Sequence, residues 1–276
     1  METKATNNDS VFVSYAQHGE DVLLYRALKH VSDGFYIDVG AHDPEHFSVT
    51  KAFYDRKWRG INVEPEEACF RRLVAQRPRD INLQMLCSDR PGSADFYEVR
   101  ESGLSTEDVR LASLHEKNGF AVSRTTLESR TLDSICEEHV RGDINFLKVD
   151  VEGSEERVLR GLELRRHRPW IIVVEATEPL ASDRSDRDLA QYLGARDYRH
   201  VFFDGLNSFF VAAEHERLAK FFDRPANPLD GYLLPVHVEL QALRERLAAY
   251  EALASWRVMR LEDRLRRVWR ALRGRA

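Results

Sequence analysis

Leu24, Ala27, Leu28 and Val31 recur at i, i+3, i+4 and i+7, so GEDVLLYRALKHV (19–31) predicts an amphipathic helix. The pattern then changes to a short continuous apolar run, GFYIDVGA (34–41), which predicts a buried strand ending at a glycine turn. The alternation continues along the chain. HFSVTKAFYDRKW (46–58) predicts a helix, GINVEP (60–65) a second strand, EEACFRRLVAQ (66–76) a helix and INLQMLCSD (81–89) a third strand. SADFYEV (93–99) is a further short strand, SRTTLESRTL (123–132) is extended, and TLDSICEEHV (131–140) is helical with Thr131 or Asp133 near its cap. NFLKVD (145–150) and WIIVVEA (170–176) are strands separated by a helix from Ser154 to about Leu162. Residues 100–121 carry little periodicity and predict a functional loop. METKATNNDS (1–10) is polar and predicts a frayed end.

Strands alternating with helices predict a mostly parallel sheet covered on both faces. The last pair departs from that rule. Only a few residues separate VFF (201–203) from FFV (209–211), whereas a parallel connection needs a crossover of roughly a dozen. The pair is therefore expected as an antiparallel hairpin turning through Asp204-Gly205-Leu206-Asn207.

Composition narrows the classes. The 276 residues are 43% apolar with a net charge of −5, enough for one large domain with an appendage and ill-suited to general nucleic-acid binding. Charge is uneven: residues 236–276 hold ten Arg against five Asp or Glu, a local +5, leaving −10 elsewhere. Three cysteines with no C-x-x-C pairing, and no signal-peptide pattern, predict a reducing cytoplasmic setting. No apolar run reaches the roughly 20 residues of a membrane span. These features divide the chain into a flexible N-terminus (1–14), a catalytic-size domain (15–225) and a basic amphipathic helical tail (236–276).

Ligands of open α/β sheets bind beyond the carboxyl ends of the strands. After the first strand come Asp38, Gly40 and Ala41, without the G-x-G-x-x-G of a dinucleotide site. One glycine beside an acid suits a ligand with a cationic amino group and no phosphate. After the second strand comes Glu64, able to accept two hydroxyls, and after the third Ser88 and Asp89, able to meet a base edge. Each acid alone is a solvated strand end; acids after three successive strands predict a cofactor site.

These residues resemble the FkbM family of S-adenosylmethionine (SAM)-dependent methyltransferases. YAQHGEDVLL is similar to that family's Y-S-Q-x-G-E-D opening, with Ala16 in place of serine. FYIDVGAHDPEHFSVT, WRGINVEP, GLST (103–106), FLKVDVEGSE, VVEA and DGLNSFFV resemble its later blocks, from about Tyr15 to Val211. The resemblance implies a class I, Rossmann-like fold with a mostly parallel seven-stranded sheet. It also implies SAM-dependent O-methylation, commonly of sugar or polyketide hydroxyls. Asp38, Gly40, Ala41, Glu64, Ser88 and Asp89 are then the expected SAM contacts. A SAM-fold scaffold without activity is the non-enzyme competitor.

LKVDVEGSE (147–155) aligns Lys148, Asp150 and Glu152 at one parity where a strand runs out. A sugar hydroxyl is a poor nucleophile until its proton is leaving, and two arrangements supply that help. Asp150 and Glu175, at the ends of two neighbouring strands, can hold Mg²⁺ with the acceptor hydroxyl as a further ligand. Alternatively Asp150 or Glu152 is a general base and Lys148 steadies the alkoxide. The structural alternative is a salt bridge of Lys148 to Asp150 or Glu152 and a turn at Glu152-Gly153, with Ser154 capping the next helix. Glu175, Asp204 and Asn207 are candidate substrate contacts, although Asp and Asn suit a hairpin turn on backbone grounds alone. His42 is a candidate base, and Gln17, Glu20 and Asp21 open the first helix.

In the tail, Leu243, Leu247, Tyr250, Ala254, Val258, Leu261, Leu265, Val268 and Leu272 step by 4, 3, 4, 4, 3, 4, 3 and 4, near-heptad with one stutter. Three uses compete: packing on its own domain, a homo-oligomer seam, or a peripheral membrane contact at the inner face. ASWRVMRLEDRLRRVWR is also similar to a degenerate S-W-R-x-T-x-P-L-R tail of bacterial surface-glycan enzymes. Together these favour a sugar or glycan acceptor over a polyketide-type hydroxyl.

Overall fold

The computed structural model describes residues 11–99, 103–176 and 187–273. The expectations for residues 1–10, and for Arg100–Ala121 where it covers 100–102, lie outside the described residues. Contacts divide the chain into two units, one of which is Ser14–Tyr232; the C-terminal helix belongs to the other.

In chain order the strands of Ser14–Tyr232 are β1 (Phe35–Val39), β2 (Arg59–Val63), β3 (Ile81–Leu83), β4 (Leu86–Cys87), β5 (Gly92–Val99) and β6 (Val122–Arg130). They continue as β7 (Phe146–Val149), β8 (Ile171–Glu175), β9 (Tyr198–Phe203) and β10 (Asn207–Ala212). The helices are α1 (Glu20–Leu28), α2 (Lys51–Asp55), α3 (Glu67–Gln76), α4 (Val109–Lys117), α5 (Leu132–His139), α6 (Glu155–Arg160) and α7 (Arg187–Gly194), with α8 (Pro235–Arg273) in the other unit. Seven strands form one sheet in the order β9-β10-β8-β7-β1-β2-β3. Neighbouring strands from β8 to β3 pair in parallel. β10 runs antiparallel to both β8 and β9, the hairpin expected from its short connection.

Alternation along each strand feeds two apolar layers. Ile37, Val39, Leu147, Val149, Ile172 and Val174 pack with Leu132 and Ile135 of α5, Leu159 of α6 and Leu193 of α7. Tyr36, Phe146, Val173 and Phe209 pack on the other face with Leu23, Leu24 and Leu28 of α1 and with Phe53 of α2. Fully burying such a side chain contributes about 1.5–3 kcal/mol, so the sheet is held from both faces.

Three predicted elements differ. The helix expected over His46–Trp58 occupies only Lys51–Asp55, because Phe47 sits at φ 57 and cannot continue a right-handed helix. INLQMLCSD is two strands. Ile81–Leu83 joins the main sheet, and Leu86–Cys87 pairs instead with Ser129–Arg130 in a three-stranded side sheet, β4-β6-β5. The segment expected as a loop contains α4, capped by Asp108, whose side chain accepts from the Arg110 amide at 2.7 Å.

Candidate active site

Five parallel strands end at one edge of the sheet, and β10, running the other way, begins there. The register places Asn207 opposite Glu175 and Asp38 beside Lys148. The strand order reverses between β1 and β7, the switch point at which such sheets bind ligands. The two loops there touch. Gly40 has φ +79, and a Cβ on it would come within 1.7 Å of the Asp150 carbonyl oxygen, so only glycine fits. The Gly40 and Ala41 amides donate to the Val63 carbonyl at 3.0 and 3.2 Å, tying this loop to the end of β2.

Above that edge lies a cavity of about 1040 Å³. Its wall carries eight acidic residues (Glu20, Glu64, Glu66, Glu98, Glu107, Asp150, Glu152 and Glu175) against two cations, Lys148 and Arg72. Acidic groups so outnumber cations that, even where burial and crowding leave some protonated, the wall favours a cationic ligand. Val39, Met85, Leu86, Cys87 and Phe96 supply apolar wall.

The floor is built by LKVDVEGSE. Lys148 Nζ lies 3.2 Å from Asp150 Oδ2, donates to the Gly40 carbonyl at 3.1 Å and faces Asp38 Oδ1 at 3.6 Å. Burial pulls its pKa down, but Asp150 and Asp38 outweigh burial and hold it above the ordinary lysine range. Beyond Asp150 the chain turns through two left-handed residues, Glu152 at φ 53 and Gly153 at φ 98. Ser154 makes no capping bond with its side chain, contrary to expectation. Glu155 does the work instead, accepting the Val151 and Gly153 amides at 3.1 and 3.0 Å. Thr106, from the GLST segment, donates to the Glu152 carbonyl at 2.8 Å and fixes the turn from the other side.

Asp150, Glu152 and Glu175 each offer a carboxylate oxygen within 4.8 Å of the other two. Burial first, then the charges of Asp150 and Glu155, pushes Glu152 up to about 8. Glu175 is raised further by burial, by Asp150 and Glu152, and by a hydrogen bond shared with Asp150. Like charges this close hold protons that isolated carboxylates would release. The arrangement can accept a proton, or bind a hard cation through oxygen donors.

The remaining candidates divide. Glu64 lines the wall, with its carboxylate accepting the His42 amide at 2.6 Å and the Glu66 amide at 2.8 Å; burial pushes its pKa up to about 7. Gly40, Ala41 and His42 line it too, and burial lowers the His42 pKa. Asp38 does not reach the wall. It lies 1% exposed beneath Lys148; its Oδ2 accepts from Thr50 at 3.1 Å, and its Oδ1 accepts no hydrogen bond among the described residues. Its influence on the cavity passes through Lys148.

Ser88 and Asp89 also lie off the wall, because the split of the third strand carries them toward α6. Arg157 donates to Ser88 Oγ at 2.6 Å and lies 3.6 Å from Asp89, while Met85, Leu86 and Cys87 take the wall position. Asp204 is spent on its own turn, accepting the Leu206 and Asn207 amides at 2.8 and 2.6 Å. Asn207 does line the cavity and donates to Glu20 at 3.0 Å, so the hairpin and α1 meet there, with Gln17 beside them. Asp21 is fully buried and holds Ser14 and the Tyr15 amide.

Phe96, Glu98 and Glu107 come from the side sheet and the segment after it. No local pattern marks them, since only long-range pairing of β5 with β6 brings them over the floor.

The methyltransferase FkbM domain matches residues 38–200, more than half of the chain, including the whole of β2, β3, β7 and β8. The chain belongs to the FkbM methyltransferase family. Comparison with curated proteins gives no match. Among the described residues, no helix is long and apolar enough to cross a membrane.

Proposed function

We propose that the chain is a SAM-dependent O-methyltransferase acting on a sugar hydroxyl of a glycan, glycolipid or glycoside. The observation that carries this reading is the carboxylate cluster of Asp150, Glu152 and Glu175 on the floor of a cavity at the top of the usual range of about 300–1,000 Å³. That volume leaves room for an acceptor beside the cofactor. The strand order, with one antiparallel strand second from the edge, supports a class I methyltransferase sheet.

The wall fits SAM chemically. Eight acidic side chains against two cations favour a ligand carrying a sulfonium and an ammonium, and Glu64 stands at the end of the second strand where it can accept ribose hydroxyls. The bound cofactor supplies an electrophilic methyl group. The three-carboxylate floor also fits a hard divalent cation such as Mg²⁺, which would lower the pKa of an acceptor hydroxyl held there.

The chain's own residues do the rest. Asp150, held by Lys148, positions the acceptor hydroxyl, and alignment of this kind can supply roughly 7–11 kcal/mol of the barrier. Glu152, raised to about 8, is unprotonated in a fraction of molecules that grows as pH rises toward 8, and in that form it takes the hydroxyl proton. Asn207, held by its bond to Glu20, shapes the wall on the side of the acceptor.

Calorimetry with SAM, followed by methyl transfer over a panel of sugar and phenolic acceptors with the product read by NMR, tests the reading. SAM binding that Glu64→Ala weakens at least about tenfold (1.4 kcal/mol), with methylation on a sugar oxygen, is expected. Undiminished binding by the variant contradicts the cofactor site, and methylation confined to phenolic acceptors contradicts the acceptor.

A further inference from the structure

Helix α8 has no place in the chemistry above, and its apolar stripe has no cover among the described residues. It runs 39 residues, about 58 Å at 1.5 Å per residue. Val236, Leu243, Leu247 and Tyr250 are each more than half exposed, and Leu240 nearly so. A stripe of that length on one helix marks an interaction surface.

The spacing 236, 240, 243, 247, 250, 254 is a strict heptad seam, with Val236, Leu243 and Tyr250 at d and Leu240, Leu247 and Ala254 at a. That register places Glu239 and Arg246 at g, and Arg244 and Glu251 at e. In a parallel pair each g residue faces the e residue five positions further along the partner helix. Glu239 then meets Arg244, and Arg246 meets Glu251: opposite charges both times, and twice over by symmetry. Within one helix, residues five apart are not neighbours, since only i+3 and i+4 share a face. All four side chains are exposed, and none makes an ion pair among the described residues. The pattern is thus satisfied between helices and not within one.

It also disfavours a lipid surface. An anionic membrane selects Lys and Arg beside the apolar stripe. Residues 236–254 instead carry three Glu against two Arg, and two of those Glu flank the seam.

We propose that this segment pairs in parallel with α8 of a second copy of the chain, making the protein a homodimer through a two-stranded coiled coil. The test uses light scattering on the full chain and two exposed charge variants, Arg246→Glu and Glu251→Arg. The intact protein is expected at twice its 32.0 kDa chain mass. Each variant alone opposes like charges, Glu with Glu or Arg with Arg, and shifts to monomer. An equimolar mixture restores opposite charges at both places and returns a one-to-one heterodimer, which also shows that both variants fold. A wild-type monomer, single variants that both stay dimeric, or a mixture that stays monomeric each overturns the proposal. Sedimentation of a wild-type monomer with anionic vesicles would assign the stripe to lipid instead.

Discussion

Two groups of charge lie on the same sheet, one buried and one half-buried at its edge. Behind β1 and β2, Asp80 accepts from the Tyr36 hydroxyl at 2.6 Å, the Gly60 amide at 2.9 Å and Asn62 at 3.1 Å, with Arg77 at 3.8 Å. Arg77 in turn donates to the Pro44 carbonyl and to Ser48, closing the loop that leads from Gly40 to α2. There, unlike charges are fully furnished with partners. At the ends of β7 and β8, Asp150, Glu152 and Glu175 are like charges crowded together, facing a cavity. A satisfied buried ion pair specifies structure. A crowded cluster of like groups costs stability and is kept where a ligand can relieve it.

Breaking the first group should have the larger effect on folding. Arg77→Met leaves Asp80 buried without its counter-charge, which costs about 3–5 kcal/mol. For a domain of this size that is a fall in Tm of about 6–20 °C in a thermal melt. A change of only a few degrees would show that the Asp80 hydrogen bonds suffice and would blur the contrast. The second group should show itself through pH. Glu152 is raised to about 8 from an ordinary value of 4.5. Between those values the folded chain holds a proton that the unfolded chain releases, so this residue's contribution to stability falls as pH rises through the window. Glu152→Gln should flatten the dependence of Tm on pH between about 5 and 8; an unchanged slope would mean that Glu152 titrates normally.

Much of the sheet was legible because its cues are local. Loop length alone forced the β9–β10 hairpin, and acids after successive strands pointed to the edge where the cavity lies. The misses have physical causes. Helix α4 buries Ala112 and His115 while Val109 and Leu114 lie exposed, so its larger apolar residues do not mark its buried face. The break after Leu83 depends on which strand each half pairs with, a choice that alternation cannot encode. Asp38 and Asp89 are chemically suited to a ligand, yet burial under Lys148 and attraction to Arg157 take them out of reach. The acids Glu98 and Glu107 arrive by long-range pairing alone.

Asp150→Asn addresses the floor directly. It removes one charge from the crowded group, keeps the side-chain shape, and leaves the cavity wall at Glu64 untouched. Methyl transfer and SAM affinity measured side by side on this variant are decisive. A loss of turnover of at least about 100-fold, near 2.7 kcal/mol, with SAM affinity within a few-fold of the parent is the predicted result. Turnover retained, or lost only in step with SAM affinity, would contradict a catalytic role for the carboxylate floor.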